Sequence, residues 1–243
     1  MTLKASVVPV LALAVVGLTS CQRSAPFDPA MAGAFFPLRP GSAWTYRVTD
    51  QAHHTTATFT DRAVGKEGIA AHGASGEVVS EYSGAGGIGK SVIIYRPEHG
   101  YITRILSIGD YPRVPFQEDQ FLPQLLKPDL IWSNSMLPFG DAPGTFHVTQ
   151  THRTFLESRA IEVPAGRFTR CIRIETEALY QDDSAQKNRP RSVRYIDWYA
   201  PNVGLVRSQV LEPGFFGTEI ARVELVNFAN SRIQTASALA RPQ

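Results

Sequence analysis

Residues 84–91 read G-A-G-G-I-G-K-S, which satisfies the pattern G-x-x-x-x-G-K-[ST] of a phosphate-binding loop. In a working loop of that kind the backbone amides and a helix N-terminus cradle the phosphates. The lysine reaches the terminal phosphates and the serine a bound Mg²⁺. The chemistry therefore needs a strand before the glycines and a helix after them. GEVVSEYS supplies an acceptable strand, but Ser91 is followed by Val92, Ile93, Ile94, Tyr95 and Arg96, and then by Pro97. A β-branched run has poor helix propensity. No apolar run ending in aspartate stands downstream as a metal-binding partner. Glycines that accept positive φ in a hairpin loop explain the same letters. The stretch is expected to join two strands and to bind no nucleotide.

The remaining reactive side chains give no stronger pattern. His53 and His54 are adjacent, His147 and His152 are five apart, and His72 and His99 stand singly near turns. None has the spacing of a metal site, so all six read as surface histidines. No G-x-S-x-G elbow surrounds Ser75 or Ser83. Asp182 and Asp183 read as solvated turn residues, as do Arg189, Arg191 and Arg194 among their acidic neighbours. Cys171, on a strand with Thr169, Arg173 and Glu175, reads as a small, partly exposed residue rather than a reactive thiol. No catalytic residue, metal or cofactor is expected, and the chain is not expected to be an enzyme. One stripe invites a ligand: Tyr195, Asp197 and Tyr199 share a strand face, with Ile196 and Trp198 opposite.

The elements that must position that stripe are strands. Trp44, Tyr46 and Val48 alternate with polar neighbours, the period-two mark of a half-buried strand. Further runs, TTATFTDRAV, SVIIYR, YITRILSIG, TFHVTQTHRTFLE, SVRYIDWYA, LVRSQVLE and IARVELVNF, are separated by short turns. After the VPAG turn, Phe168, Ile172 and Ile174 are expected on one face. Prolines at 112, 115, 123, 128, 138 and 143 punctuate residues 111–144, which excludes a long helix or a central strand there. The reading is all-β and mainly antiparallel: a single curved meander of nine to eleven strands, a half-barrel or open barrel with a long Pro-rich loop. Trp44 and Trp198 are expected in one core. The β-rich domain spans 36–228, and 229–243 is a weakly patterned tail expected to be disordered.

The N-terminus fixes an expected compartment. Lys4 precedes the apolar run Val7–Leu18, too short to span a bilayer, as in a secretory signal over residues 1–20. Leu18-Thr19-Ser20-Cys21 resembles the lipobox of bacterial lipoproteins. The resemblance implies a diacylglycerol thioether and an N-acyl group on Cys21, heading a tether over 21–35. Several acyl chains, at about 0.8 kcal/mol per buried methylene, hold a protein firmly at the bilayer. Gln22, rather than aspartate, leans toward the outer membrane, with the domain facing a periplasm that holds essentially no ATP or GTP. With Cys21 acylated, Cys171 is the one thiol left, and no intramolecular disulfide can form. The 243 residues carry 24 basic and 22 acidic side chains, a balance that favours no nucleic acid.

Three motifs extend the resemblance. Phe36–Tyr46 (F-P-L-x-x-G-x-x-W-x-Y), Val163–Phe168 (V-P-A-G-x-F) and Trp198–Val206 (W-Y-A-P-x-V-G-L-V) resemble marks of uncharacterised bacterial lipoproteins and periplasmic β-rich domains. The motifs are turns, glycines and core aromatics, and they transfer no catalytic residue. At the level of architecture the chain is also similar to the curved sheets of periplasmic carriers that hold acyl chains. The expected function is a membrane-anchored binding or scaffold domain with an envelope protein as partner. The alternative is a carrier or sensor of an amphiphile, and an enzyme acting on an envelope polymer comes third.

Overall fold

The computed structural model describes residues 32–69, 74–79, 91–108, 117–136, 146–182, 191–212 and 217–229. Cys21, the expected leader and most of the expected tether, the glycine-rich residues 84–90, His72, Asp183, Arg189 and the residues after Ala229 lie outside them. A helical turn, α1 (Ala32–Phe35), begins the described chain just ahead of the expected domain start at Phe36. Phe35 is buried, and Ala34 accepts a hydrogen bond from the Asn202 amide.

Strands follow in chain order: β1 (Ala43–Asp50), β2 (Thr55–Ile69), β3 (Ala74–Val79), β4 (Ser91–Glu98), β5 (Tyr101–Ile108), β6 (Gln117–Pro123) and β7 (Ile131–Met136). After them come β8 (Phe146–Leu156), β9 (Ile161–Val163), β10 (Gly166–Phe168), β11 (Ile172–Asp182), β12 (Arg191–Ala200), β13 (Gly204–Leu211) and β14 (Glu219–Ala229). Twelve form one antiparallel sheet in the order β6-β5-β4-β3-β2-β1-β14-β13-β12-β11-β8-β7, and β9 and β10 form a separate hairpin. The meander is therefore real, and β1 and β14 close its middle.

The sheet curls until its two edges meet without zipping. The Trp132 indole N–H on β7 donates to the Gln120 carbonyl on β6 at 3.3 Å, and the Asn134 amide reaches the same oxygen at 3.5 Å. Side chains, rather than a backbone ladder, bridge the seam, so the barrel stays open. Both edge strands come from the proline-rich stretch 111–144. That corrects the expectation of one long loop. Proline cannot donate to a ladder and is barred from central strands, but an edge strand has a free side, and Pro123 ends β6.

Curling leaves a concave face, where Trp44, Tyr46, Tyr95, Ile172, Ile174 and Leu225 are buried. Trp44 and Trp198 both belong to the contiguous core, 7% and 8% exposed, but they enter it from opposite faces. Trp198 stands in register between Arg173 and Arg207. Its indole N–H donates to Glu157 on the outer side, at 3.1 Å. The expected continuation of one strand from Phe168 to Ile174 is broken: Arg170 adopts a φ of 59°, and Phe168 instead packs on Phe228. The bend covers Cys171, which is fully buried and not partly exposed as its neighbours suggested. On the outer face arginines pair across strands, Arg47 and Arg207 with Glu224 and Arg194 with Glu175.

Candidate functional site

Inward-pointing positions of a small sheet are ordinarily apolar, because each buried polar group must find a partner. Here the alternation drives charges inward. On β2, Phe59 faces Tyr46 and Asp61 faces Trp44 across the ladder to β1, so Asp61 occupies a core-phase position. Across β4, β5 and β6 the register sets Tyr95, Arg104 and Asp119 in one row. From the opposite wall, β12 presents Asp197 between Ile174 and Ser208, and Tyr199 between Ile172 and Leu205.

These side chains enclose two adjoining cavities. The first, about 230 Å³, is bounded by Trp44, Tyr46, Asp61, Tyr95, Phe36 and Leu205. The second, about 200 Å³, reaches Asp119, Asn134, Gln150, His152, Thr176 and Tyr195. Arg104, Phe121, Asp197 and Tyr199 line both. The sequence-derived stripe thus lies on the concave face: Tyr195 borders the second cavity, and Asp197 and Tyr199 border both. Tyr195 is tied to Tyr180 by a hydroxyl–hydroxyl contact of 2.8 Å.

The electrostatics are uneven. Arg104 bonds Asp119 at 2.5 Å and lies over the Phe121 ring, 4.7 Å from its centre. Asp119 is nearly inaccessible, and its Oδ1 has no hydrogen-bond partner among the described residues. Asp61 makes no hydrogen bond or ion pair among the described residues, and burial alone pushes its carboxyl up to about 6. Burial also raises Asp197 to about 6, against the downward pull of a hydrogen bond from Ser208 and the charge of Arg104. Burial pushes the hydroxyls of Tyr46, Tyr95 and Tyr199 above their ordinary range, so all three stay neutral at physiological pH.

His152 corrects the reading of surface histidines. It is buried on β8, stacked on Trp132 with ring centres 4.7 Å apart, and hydrogen-bonded to Thr176 at 2.8 Å. Burial and then the charge of Arg104 push it down to about 4, so it is neutral at pH 7. His53 lies in the exposed turn after β1, bonded to Asp50, and His99 is exposed in the turn after β4. Cys171 sits away from both cavities, its thiol pushed up to about 12 by burial and by Glu157. Among the described residues no three histidine, cysteine or acidic side chains converge as a metal site.

Sequence reading missed Asp61, Arg104 and Asp119. The available signal was parity: Asp61 is in phase with Phe59 and Ala63, and Arg104 with Ile102. A charge at an inward position of a strand marks a site more sharply than any motif in this chain.

No protein-family model matches the chain, and no curated protein matches it. Two crystal structures resemble the fold. One is a protein from Bacteroides fragilis inferred to be exported, with a YmcC-like fold, at 14% identity and a TM-score of 0.50. The likeness covers 79% of this chain and 97% of that one. The other is a protein from Parabacteroides distasonis inferred to be a lipoprotein, at 15% identity and a TM-score of 0.42, covering 82% and 99% of the two chains. At such identity the first likeness concerns the fold alone: the antiparallel open barrel is similar to the fold of that protein.

Proposed function

We propose that this chain is a lipid-anchored protein of the bacterial cell envelope whose open barrel binds a small ligand in its concave interior. One observation carries the binding reading. Asp119 is buried with an unsatisfied oxygen, in an interior where Asp61 and Asp197 also lack a cationic partner of their own. A fold gains little from a buried carboxylate that is half satisfied and two half-buried ones with no cation of their own, and a ligand that completes their interactions accounts for them. An acyl chain alone does not, since hydrocarbon would leave the same groups unsatisfied. An amphiphile therefore fits only with its polar group at Asp61, Arg104 and Asp197. The anchoring reading draws on the resemblance of Leu18-Thr19-Ser20-Cys21 to a lipobox and on a fold neighbour inferred to be exported.

A non-catalytic role fits the other reactive groups. His152 is neutral and engaged in stacking, and Cys171 is a protonated thiol on the far face. A second reading draws on Asp61 and Asp197, two carboxyls held near 6 on opposite walls, which could exchange protons with a substrate.

One preparation tests anchor and ligand together. Wild type and Cys21→Ser are expressed in a bacterial host, fractionated, extracted in mild detergent and analysed by mass spectrometry. The expected result is wild type in the membrane pellet with acyl chains on Cys21, the variant in the soluble fraction, and the same small molecule retained by both. Cys21→Ser found in the pellet at unchanged mass would remove the anchor. Both proteins emerging empty would remove the binding reading, and a retained molecule that is chemically altered over time would favour the second.

A further inference from the structure

Within the reading of the interior as a binding site, we infer that the ligand is an organic cation, an ammonium group faced by aromatic rings in the chamber that Asp61 and Asp197 both line. The charge inventory of the two cavities leads there. Among the described residues that line them, three carboxylates, Asp61, Asp119 and Asp197, stand against one guanidinium, Arg104, which is already bonded to Asp119 at 2.5 Å. Two negative groups are left over, on opposite walls of one chamber. Asp119, buried and with Oδ1 unpartnered, shows that Arg104 does not fully satisfy even its own partner. An anionic ligand would compete for Arg104 and be repelled by the rest. A neutral polyol could hydrogen-bond the carboxylates but would leave their charge uncompensated.

The walls fit the same occupant. Trp44, Tyr46, Tyr95 and Tyr199 line the chamber that holds Asp61 and Asp197. Aromatic faces attract a desolvated cation and are the usual surroundings of methylated and primary ammonium groups. The volume of about 230 Å³ suits a group of a few heavy atoms. The ammonium can be borne by a free amine or by the headgroup of an aminophospholipid.

The pH behaviour follows from what faces each carboxylate. Asp61 meets Trp44 and Tyr46 from β1 and Tyr95 from β4; Asp197 meets Ser208 from β13, Ile174 from β11 and Arg104 from β5. The tyrosines stay neutral, Arg104 stays charged, and His152 stays neutral above about 4. Among the described groups that line the chamber, those whose charge changes between pH 5 and 7.5 are Asp61 and Asp197, both pushed up to about 6 by burial. A bound cation favours their ionised form, so affinity rises with pH through that window and binding releases protons.

Calorimetric titration of the full lipidated protein in a nonionic detergent tests this, with choline chloride as the free cation and glucose and sodium phosphate as neutral and anionic probes. Micelles doped with phosphatidylethanolamine or with phosphatidylglycerol supply the headgroup arm. The expected result is binding of choline, of phosphatidylethanolamine, or of both, at least tenfold tighter at pH 7.5 than at pH 5. Asp61→Asn and Asp197→Asn should each weaken it about tenfold or more, and the exposed Asp129→Asn should not. Saturation by choline but not the doped micelles assigns a free ammonium ion, and the reverse assigns a lipid headgroup. Binding of glucose or phosphate in preference to choline overturns the cation inference while leaving a binding site. Failure of every probe also overturns it, and molecules retained on purification then decide separately whether the interior binds anything.

Discussion

Trp44→Ala is expected to lower the unfolding free energy by about 3–5 kcal/mol, the usual cost of truncating a buried tryptophan. Trp44 is 7% exposed, and its indole N–H donates to the Val203 carbonyl at 2.5 Å. That bond ties β1 to the turn between β12 and β13, elements far apart in sequence. Gly204 at this turn has a φ of 103°, and a Cβ there would lie 3.6 Å from the indole nitrogen. The turn is thus shaped around the ring. Alanine would lose the transfer energy of the indole, merge its volume with the 230 Å³ cavity and leave the Val203 carbonyl to water. A loss of this size is a large share of the roughly 5–15 kcal/mol that holds a domain together, and no internal disulfide limits it. Urea unfolding followed by circular dichroism measures it. A variant unfolding within about 1 kcal/mol of wild type would show that the ring is a dispensable wall of the cavity.

Arg104→Ala is expected to cost about 3–5 kcal/mol as well, for a different reason. Asp119 is buried, and removing the guanidinium leaves its charge with no compensation, which costs far more than the ion pair contributes. The double variant Arg104→Leu/Asp119→Leu should therefore recover most of the lost stability, since apolar groups of similar size need no partner. The same unfolding measurement on both singles and the double gives the coupling. A double variant no more stable than Arg104→Ala would mean that the guanidinium acts through packing on Phe121, over which it lies.

How much of this was legible in the sequence depends on which physical signal each feature left. Alternation at Trp44, Tyr46 and Val48 names a strand, and the same parity places Tyr195, Asp197 and Tyr199 on one face; the concave interior is where that face lies. Turn chemistry separated the strands but not all of them. Arg170, in a left-handed conformation few sequences announce, splits β10 from β11, and this buried Cys171 and redirected Phe168. Prolines 123 and 128 correctly barred a central strand, yet they are compatible with edges, so β6 and β7 went unread. Curvature left no local mark at all. Whether an inward charge such as Asp61 or Arg104 is a lone oddity or one member of a cluster depends on which strands the curl brings opposite each other, and His152 was misplaced for the same reason.

The central claim is that the interior carboxylates are kept for a ligand and burden the empty fold. It bears on Asp61 most directly. Its carboxyl titrates near 6 in the fold and near 4 in the unfolded chain. With a raised folded pKa the folded state binds the extra proton, so this group's favourable contribution is present at low pH and is lost as pH rises from about 4 through 6. Asp61→Asn removes the charge at nearly constant shape. After discounting for partial solvent access, the ligand-free variant should be more stable than wild type by about 1–2 kcal/mol at pH 7.5. That corresponds to a melting temperature about 3–6 °C higher, with the difference shrinking toward pH 4. The decisive measurement is the pair of melting curves, wild type and Asp61→Asn, at pH 7.5 without added ligand. A higher melting temperature for the variant is the predicted result; a lower one would mean that Asp61 holds the fold together and would contradict the account.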